Sequence, residues 1–177
     1  MKKKAKQTRA EIASPARRSR AKAAQMCPLE GRDDIIFVEI NHLKEHEEIR
    51  PPYLEELKNQ ILCDGILKMP IAVDRETYVI LDGHHRLQAL KRIGCTRIPV
   101  LLVDYQSPDI RVHAQREGET VTKEMVLETG LCGGRMLPKT SRHMVLVDGE
   151  LHHISAIETV VNIPLERLKY SSLRTRG

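Results

Sequence analysis

The sequence predicts one compact α+β domain with a mixed sheet and short helices. Two observations carry this prediction. Short β-branched segments are interspersed with helical segments that end at glycine, and Asp148-Gly149 marks a hairpin. The mixture of hairpins and short helices is typical of an α+β domain. The length of 177 residues and the hydrophobic content of 41% allow about one domain with an ordinary core.

The first part of the domain contains four strands and two helices. The apolar run IIFVEI predicts a strand over residues 35–40. The segment YLEELKNQILCD repeats leucine and isoleucine at helical spacing, and Gly65 supplies its stop. The other expected elements are strands over 70–73 and 78–81, a helix over 86–93 that stops at Gly94, and a strand over 97–103 whose Pro99 indicates an edge or a bulge.

The second part is less regular. We expect a strand over 110–114 and a helix over 122–129 that ends near Gly130. The glycine- and proline-containing segment LCGGRMLPKTSRH reads as a loop up to residue 143. A hairpin then follows, with strands over 144–147 and 150–154, because Asp-Gly suits a two-residue turn with positive φ.

Charge divides the chain into an N-terminal tail and a domain. Residues 1–25 hold nine Lys or Arg and one Glu, a charge of +8; the net charge of +5 therefore leaves −3 for residues 26–177. Residues 1–32 are predicted to form a disordered basic tail, and residues 33–177 the folded domain. The tail is either a solvated extension or a contact for nucleic acid phosphates.

Several classes of protein are disfavoured by composition. No apolar run reaches the roughly 18 residues of a membrane helix, and no apolar segment follows the basic N-terminus as in a secretory signal. The protein is therefore expected to be cytoplasmic, with no membrane partner. The four cysteines lack CxxC spacing, so we expect them to be reduced and mostly buried rather than metal ligands or nucleophiles.

The most informative segment is ILDGHHRLQALKRIG (80–94), where a strand runs into a helix. Gly83 permits backbone conformations closed to other residues, and the unpaired N–H groups of a helix start attract anions. His84, His85 and Arg86 add donors for phosphate. Asp82 beside a phosphate would hold Mg²⁺ or orient a hydroxyl. The alternative is a capped turn with surface histidines, but five clustered polar residues favour a phosphate site.

Two further segments carry polar candidates. Glu47, in His46-Glu47-Glu48, could act as a general base, although acidic residues in loops are commonly just solvated. The segment PKTSRH (138–143) suits a phosphate or carboxylate ligand, or is an exposed basic loop. Its candidates are Lys139, Thr140, Ser141, Arg142 and His143. His152 and His153 are adjacent in a predicted strand, so they face opposite sides and cannot chelate one metal together.

The order strand, DGHHR, helix, GCTRIPV resembles the ParB/sulfiredoxin superfamily, whose members grip nucleotide phosphates at this junction. ParB partition proteins have Gly-Glu-Arg-Arg here instead of Gly-His-His-Arg. His84 stands where sulfiredoxins need a cysteine, which argues against sulfinic acid repair. Three pieces in order, KEHEEI (44–49), VILDGHHR (79–86) and PKTSRH (138–143), are similar to the free L-serine kinase branch, over about residues 34–170.

This resemblance implies a ParB/sulfiredoxin-like domain that moves a phosphoryl group from ADP or ATP to the hydroxyl of free L-serine or a similar hydroxy amino acid. It implies Glu47 as the general base and residues 83–86 as the phosphate loop, with Mg²⁺ beside Asp82. Lys139, Thr140, Arg142 and His143 would then fix the donor phosphate or the amino acid carboxylate.

Two departures from that branch concern the acceptor. Gln115 stands where the branch has a tryptophan against the serine, and the region 116–135 is shorter here.

Two other functions compete with the kinase. A ParB-like nucleotide-dependent DNA-binding or regulatory protein would need a basic folded surface, whereas residues 26–177 carry a charge of −3. A nuclease would need a cluster of carboxylates around a metal, which the sequence does not reveal. The sequence therefore favours the kinase.

Overall fold

The computed structural model describes residues 27–29 and 32–169, with side chains from Ile35 onward. The basic segment of residues 1–25 lies outside this range. The strands are β1 (Cys27–Leu29), β2 (Arg32–Glu39), β3 (Ile66–Leu67), β4 (Ile71–Asp74), β5 (Ile80–Asp82), β6 (Arg97–Val103), β7 (Ile110–Ala114), β8 (Ser141–Val147), β9 (Glu150–His153) and β10 (Ile163–Pro164). The α-helices are α1 (Pro51–Asp64), α2 (His84–Ile93), α3 (Lys123–Leu131) and α4 (Leu165–Lys169).

A five-stranded sheet in the order β1-β2-β6-β4-β5 forms the centre of the molecule. Strand β6 pairs antiparallel with β2 and parallel with β4, and every other pair in this sheet is antiparallel. A second, antiparallel sheet has the order β7-β8-β9, and β3 pairs with β10. The predicted α+β class with a mixed sheet is confirmed. The strand β1 lies before the domain boundary predicted at residue 33.

The central sheet is buried on both faces, which explains why β6 is apolar from Ile98 to Val103. Ile98 and Val100 of β6 pack in one core cluster, together with residues of α1, α2 and α4. Leu101 and Val103 pack in the other, with residues of α3 and of the second sheet. Side chains alternate between the faces of a strand, so each face needs its own apolar set.

Strand β6 also corrects one prediction. Pro99 was expected to mark an edge or a bulge, yet β6 lies in the interior of its sheet. Pro99 pairs with Phe37 of β2, and the pairing with β4 begins only at Val100. The proline is tolerated because residue 99 pairs with β2 on one side of β6 and has no paired residue in β4 on the other.

Helix α2 and strand β8 each begin earlier than predicted. Helix α2 starts at His84 rather than residue 86, and β8 starts at Ser141 rather than residue 144. Ser141 and His143 are therefore strand residues, not loop residues. The hairpin is confirmed, since Asp148 and Gly149 have φ of 51° and 84°.

Two predictions from composition can be compared with the described residues. Cys63, Cys95 and Cys132 are free thiols, but only Cys95 is buried, so the expectation of mostly buried cysteines is wrong. No helix in residues 27–29 and 32–169 is long and apolar enough to cross a membrane.

Candidate active site

A cavity of about 540 Å³ lies between the start of α2, the loop that follows β2, and the second sheet. Its wall includes all of residues 82–86, together with Glu47, Gln115, Ser141 and His143. The structure thus brings together predicted site residues that are far apart in the sequence.

The start of α2 supplies the backbone needed for an anion. Gly83 is the N-cap with φ of 100°, and a Cβ there would lie 2.4 Å from Cγ2 of Ile71. Both facts require glycine at this position. The first intrahelical hydrogen bond is donated by Leu87 to the Gly83 carbonyl. The preceding N–H groups, of residues 83–86, have no intrahelical partner, so the positive end of the helix faces the cavity.

Glu47 is held in the cavity wall by three hydrogen bonds. Its Oε1 accepts from the Lys139 N–H at 2.8 Å. Its Oε2 accepts from the Ser141 N–H at 3.2 Å and from the Ser141 hydroxyl at 3.0 Å. The side chain is half-buried and beside open space, so it can still reach a bound ligand.

The loop that carries Glu47 is itself anchored by a buried carboxylate. Glu45 accepts from Gln88 and Lys91 of α2 and from Arg135. Met136 donates its N–H to the His46 carbonyl at 2.8 Å. These contacts tie the loop to α2 on one side and to the segment before β8 on the other.

Three buried imidazoles lie close together at the cavity, which His84 and His143 line and His46 does not. The ring of His46 is 4.7 Å from the ring of His84 and 5.7 Å from that of His143, measured between centroids. Nε2 of His143 is 2.9 Å from the hydroxyl of buried Tyr105. Burial lowers the pKa of His46 and of His84, and it lowers the pKa of His143 to about 3. All three rings are therefore neutral near pH 7.

His85 is also a neutral ring. Its Nε2 accepts from the Arg50 N–H at 2.9 Å, and the ring lies edge-on to Tyr53. Burial lowers the pKa of His85, with Glu47 opposing that shift. Neither His84 nor His85 then brings a full positive charge to the cavity, so beside Arg86 the positive feature there is the backbone at the start of α2.

Arg86 is engaged by carboxylates rather than free for a ligand. Its guanidinium bonds Glu158 through both terminal nitrogens, at 2.7 and 3.0 Å, and also Asp82 and the Pro70 carbonyl. Glu158 is almost fully buried. Burial raises its pKa to about 7, with Arg86 opposing the rise and Asp82 adding to it. In this conformation Arg86 fastens α2 to the segment around residue 158.

Three of the predicted residues are not brought into the cavity wall. Lys139 contributes its backbone N–H to Glu47, but its side chain is exposed. The Thr140 hydroxyl donates to the Leu137 carbonyl within its own turn. Arg142 is exposed because it alternates with Ser141 and His143 along β8, whose side chains point inward.

Among the wall residues that sequence reasoning missed are Glu158 and His153. Glu158 comes from an irregular segment 72 residues after its partner Arg86, and no local pattern marks it. His153 was set aside with His152, yet it lines the cavity, while His152 is exposed near Glu150. The alternation along the strand was expected correctly, and it could have indicated that one of the two rings faces inward.

A magnesium site was predicted beside Asp82. No group of three His, Cys, Asp or Glu side chains that could hold a metal occurs among the described residues. Mg²⁺ commonly takes one or two protein carboxylates and completes its shell with phosphates and water. Asp82 lines the cavity and is partly exposed, so it fits as one such ligand although Arg86 shares it.

Comparison with known families and proteins supports the resemblance. Residues 31–117 match the ParB N-terminal domain. An ATP-dependent L-serine kinase of Desulfurococcus mucosus is 34% identical over 97 residues, which are 52% of this chain and 38% of that protein. The ADP-dependent L-serine kinase SerK of Thermococcus kodakarensis is 32% identical over 84 residues, 45% of this chain and 35% of that protein. The matches thus span little more than a third of these kinases.

Other relatives share more of the chain. A ParB-like protein of Sulfolobus acidocaldarius is 24% identical over 143 residues, 78% of this chain and 71% of that protein. The solved structure of a free serine kinase in complex with AMP superposes with a TM-score of 0.62 and 19% identity, covering 76% of this chain and 93% of that one. The solved structure of a conserved hypothetical protein from Pyrococcus furiosus superposes with a TM-score of 0.63 and 17% identity, covering 76% of this chain and 97% of that one. These likenesses confirm the ParB/sulfiredoxin-like fold.

Proposed function

We propose that this chain, whose residues 31–117 match the ParB N-terminal domain, is a nucleotide-dependent kinase for the hydroxyl of free L-serine or a similar hydroxy amino acid. The observation that carries the proposal is the joint presence, in one cavity, of a helix start without competing side-chain caps and the fixed carboxylate of Glu47. The names of the partial relatives, L-serine kinases that use ATP or ADP, support the same reaction.

The donor phosphates would bind at the start of α2. The N–H groups of residues 83–86 and the helix dipole suit several phosphate oxygens, and Gly83 lets them approach the backbone. Asp82 would contribute one carboxylate to Mg²⁺ held chiefly by the phosphates, where the ion would offset their charge.

Glu47 would act as the general base. In the transfer, the acceptor oxygen forms a bond to the terminal phosphorus of ADP or ATP, and the bond from that phosphorus to the bridging oxygen breaks. The nucleotide leaves as AMP or ADP, and the acceptor proton passes to Glu47. Phosphoryl transfer depends mainly on alignment and charge stabilisation, so no covalent nucleophile is needed.

Gln115 would contact the acceptor. Its side-chain nitrogen donates to the Ser141 carbonyl at 2.9 Å, and its side-chain oxygen accepts from none of the described residues. Gln115 lines the cavity on the same side as Glu47 and Ser141. A free carbonyl oxygen there suits the ammonium group of an amino acid.

A second candidate rests on the Sulfolobus relative, a ParB-like protein that matches over more of the chain than the kinases do. Under this second candidate, the present chain is a nucleotide-dependent DNA-binding or regulatory protein that holds nucleic acid through residues 1–25. The predicted charge of +8 in that segment is what favours it.

One experiment separates the two candidates. The full chain is incubated with terminally labelled ATP or ADP and with a panel of amino acids, and its binding to duplex DNA is measured in parallel at several salt concentrations. We expect label in O-phosphoserine with one donor preferred. Salt-sensitive duplex binding that is lost when residues 1–25 are deleted, without any transfer, would favour the second candidate.

A further inference from the structure

A chain of hydrogen bonds ends at Glu47, and the proposed reaction as described above gives it no role. It runs from the buried ring of His46 through the Ser141 hydroxyl to the carboxylate of Glu47. Nε2 of His46 is 2.9 Å from Ser141 Oγ, which is 3.0 Å from Glu47 Oε2. His46 and Ser141 come from elements 95 residues apart, so only the folded domain assembles this chain.

The direction of donation along these hydrogen bonds follows from the number of protons that Ser141 and Glu47 carry. The Ser141 hydroxyl has one proton, and an ionised carboxylate can only accept, so that proton is donated to Glu47. The hydroxyl oxygen must then accept from His46, which places a proton on Nε2 of His46. Nδ1 of His46 is buried and meets no partner among the described residues at hydrogen-bond geometry, although the Ile80 carbonyl acts on this ring. The direction of the chain is therefore set by the ionised Glu47 carboxylate, which can only accept.

The chain also distinguishes the two oxygens of Glu47. Oε2 has two donors, the N–H and the hydroxyl of Ser141, and Oε1 has one among the described residues, the Lys139 N–H. Each carboxylate oxygen accepts about two hydrogen bonds. Oε1 therefore keeps a free acceptor site, whereas Oε2 is fully bonded.

We propose that Ser141 and His46 are positioning residues for Glu47: the donated bonds His46 to Ser141 to Glu47 fix Oε2 and leave Oε1 as the oxygen that takes the acceptor proton. This inference rests on the proposed function, and it reassigns Ser141 from ligand binding to the orientation of the base. His46 remains neutral and buried, so it orients the hydroxyl and stores no proton.

The first test compares kinetic constants of Ser141 variants. We expect Ser141→Ala to lower kcat about ten- to hundredfold, because a hydrogen bond to a charged group typically contributes that much. The KM for the nucleotide should change less than about threefold. Ser141→Thr keeps the hydroxyl and should restore most of kcat. Ser141→Cys, a weak donor of similar size, should lie between them if the threonine variant folds poorly.

The control is Ser107→Ala. The Ser107 hydroxyl oxygen accepts from the Asp109 N–H in a turn that does not line the cavity. This variant makes the same chemical change without touching Glu47, so its kcat should equal that of the unaltered protein. Equal kcat for Ser141→Ala and Ser107→Ala would overturn the inference while leaving the kinase proposal intact.

A second readout needs no activity. Long-range ¹H–¹⁵N spectra of the full chain report which ring nitrogen of His46 carries the proton, with the signal assigned by its loss in His46→Gln. We expect the Nε2–H tautomer near pH 7, and the Nδ1–H tautomer would overturn the inference. If the tautomer is as expected but no amino acid is phosphorylated, the proposed function fails, and the positioning role falls with it.

Discussion

Residues 82–86 and 139–143 look alike in the sequence, since both are short runs rich in histidine, arginine and small polar residues. They meet the cavity in different ways. Residues 83–86 begin a helix, so their successive N–H groups converge on one place. Residues 141–143 begin a strand, so only alternate side chains, those of Ser141 and His143, face inward. Composition indicates an anion site, but the secondary structure decides which atoms can serve it.

The largest effect should come from the base itself. Glu47→Gln keeps the length of the side chain but cannot accept a proton readily at neutral pH, so we expect kcat to fall about 10²- to 10⁴-fold. The Kd for ADP or ATP, measured by calorimetry, should change little, since the helix start is untouched. Glu48→Gln, at the exposed neighbour, is the matched control. An equal loss in both variants would show that the loop, and not the Glu47 carboxylate, is responsible.

The next largest effect, a loss of free energy of unfolding, should come from Gly83 at the start of α2. Gly83→Ala places a methyl group against Ile71 and forces a positive φ on alanine. Gly94→Ala forces a similar positive φ, 86°, but a Cβ added at residue 94 has no atom within 4 Å. We expect about 1–2 kcal/mol lower free energy of unfolding for Gly94→Ala, and about 1–3 kcal/mol more for Gly83→Ala. Urea unfolding of both variants checks this. Equal losses would mean that Ile71 moves aside at no cost.

A smaller effect, dependent on pH, should come from Glu158. Its pKa of about 7 in the folded protein lies above its ordinary value of 4.5. The native protein then binds more protons than the unfolded chain between these values. The stabilisation is complete below about pH 4.5, and it is lost as pH rises to about 7. We expect Glu158→Gln to remove this part of the pH dependence, which is on the order of 3 kcal/mol.

The check is a set of unfolding curves across that pH range, with the exposed Glu128→Gln as control. The free energy of unfolding of the unaltered protein should fall relative to that of Glu158→Gln as pH rises from about 4.5 to about 7. A constant difference between the two would show that Glu158 stays ionised on Arg86 throughout this range.

The smallest effect should come from Lys139. Only its N–H reaches Glu47, and its φ is 60°, which glycine adopts without strain. We expect Lys139→Gly to keep kcat within about twofold and to raise the melting temperature slightly. A large rise in KM for the nucleotide would instead support the sequence prediction that the side chain binds a ligand, and would place phosphate near residue 139.

The sequence predicted those parts of the molecule that depend on local patterns. Strand β6 and strand β7 were placed at their observed bounds, because apolar β-branched runs and flanking turns mark them. The start of α2 was placed two residues late, because apolar periodicity begins only at Leu87 and Gly83 offers no side-chain cap. Segment 141–143 was taken for a loop because its polar residues gain their strand conformation from pairing with β7.

The site was predictable to a similar extent. Residues 82–86 were singled out by the polar cluster where a strand runs into a helix, and Glu47 chiefly by the resemblance to a known family; all of them line the cavity. The partners that give them their properties were not found from the sequence. Glu158 bonds Arg86 across 72 residues, and His46 reaches Ser141 across 95. Such contacts depend on how the sheets stack, which no local pattern encodes.

The most direct test of the proposed function follows donor and acceptor together by ³¹P NMR. The full chain is incubated with ADP or ATP and Mg²⁺, with and without L-serine, beside Glu47→Gln. We expect nucleotide consumption to require serine and to match O-phosphoserine mole for mole, and to be nearly absent in the variant. Nucleotide consumption at the same rate without serine, or no phosphoserine from the unaltered protein, would contradict the assignment of this cavity to free serine phosphorylation.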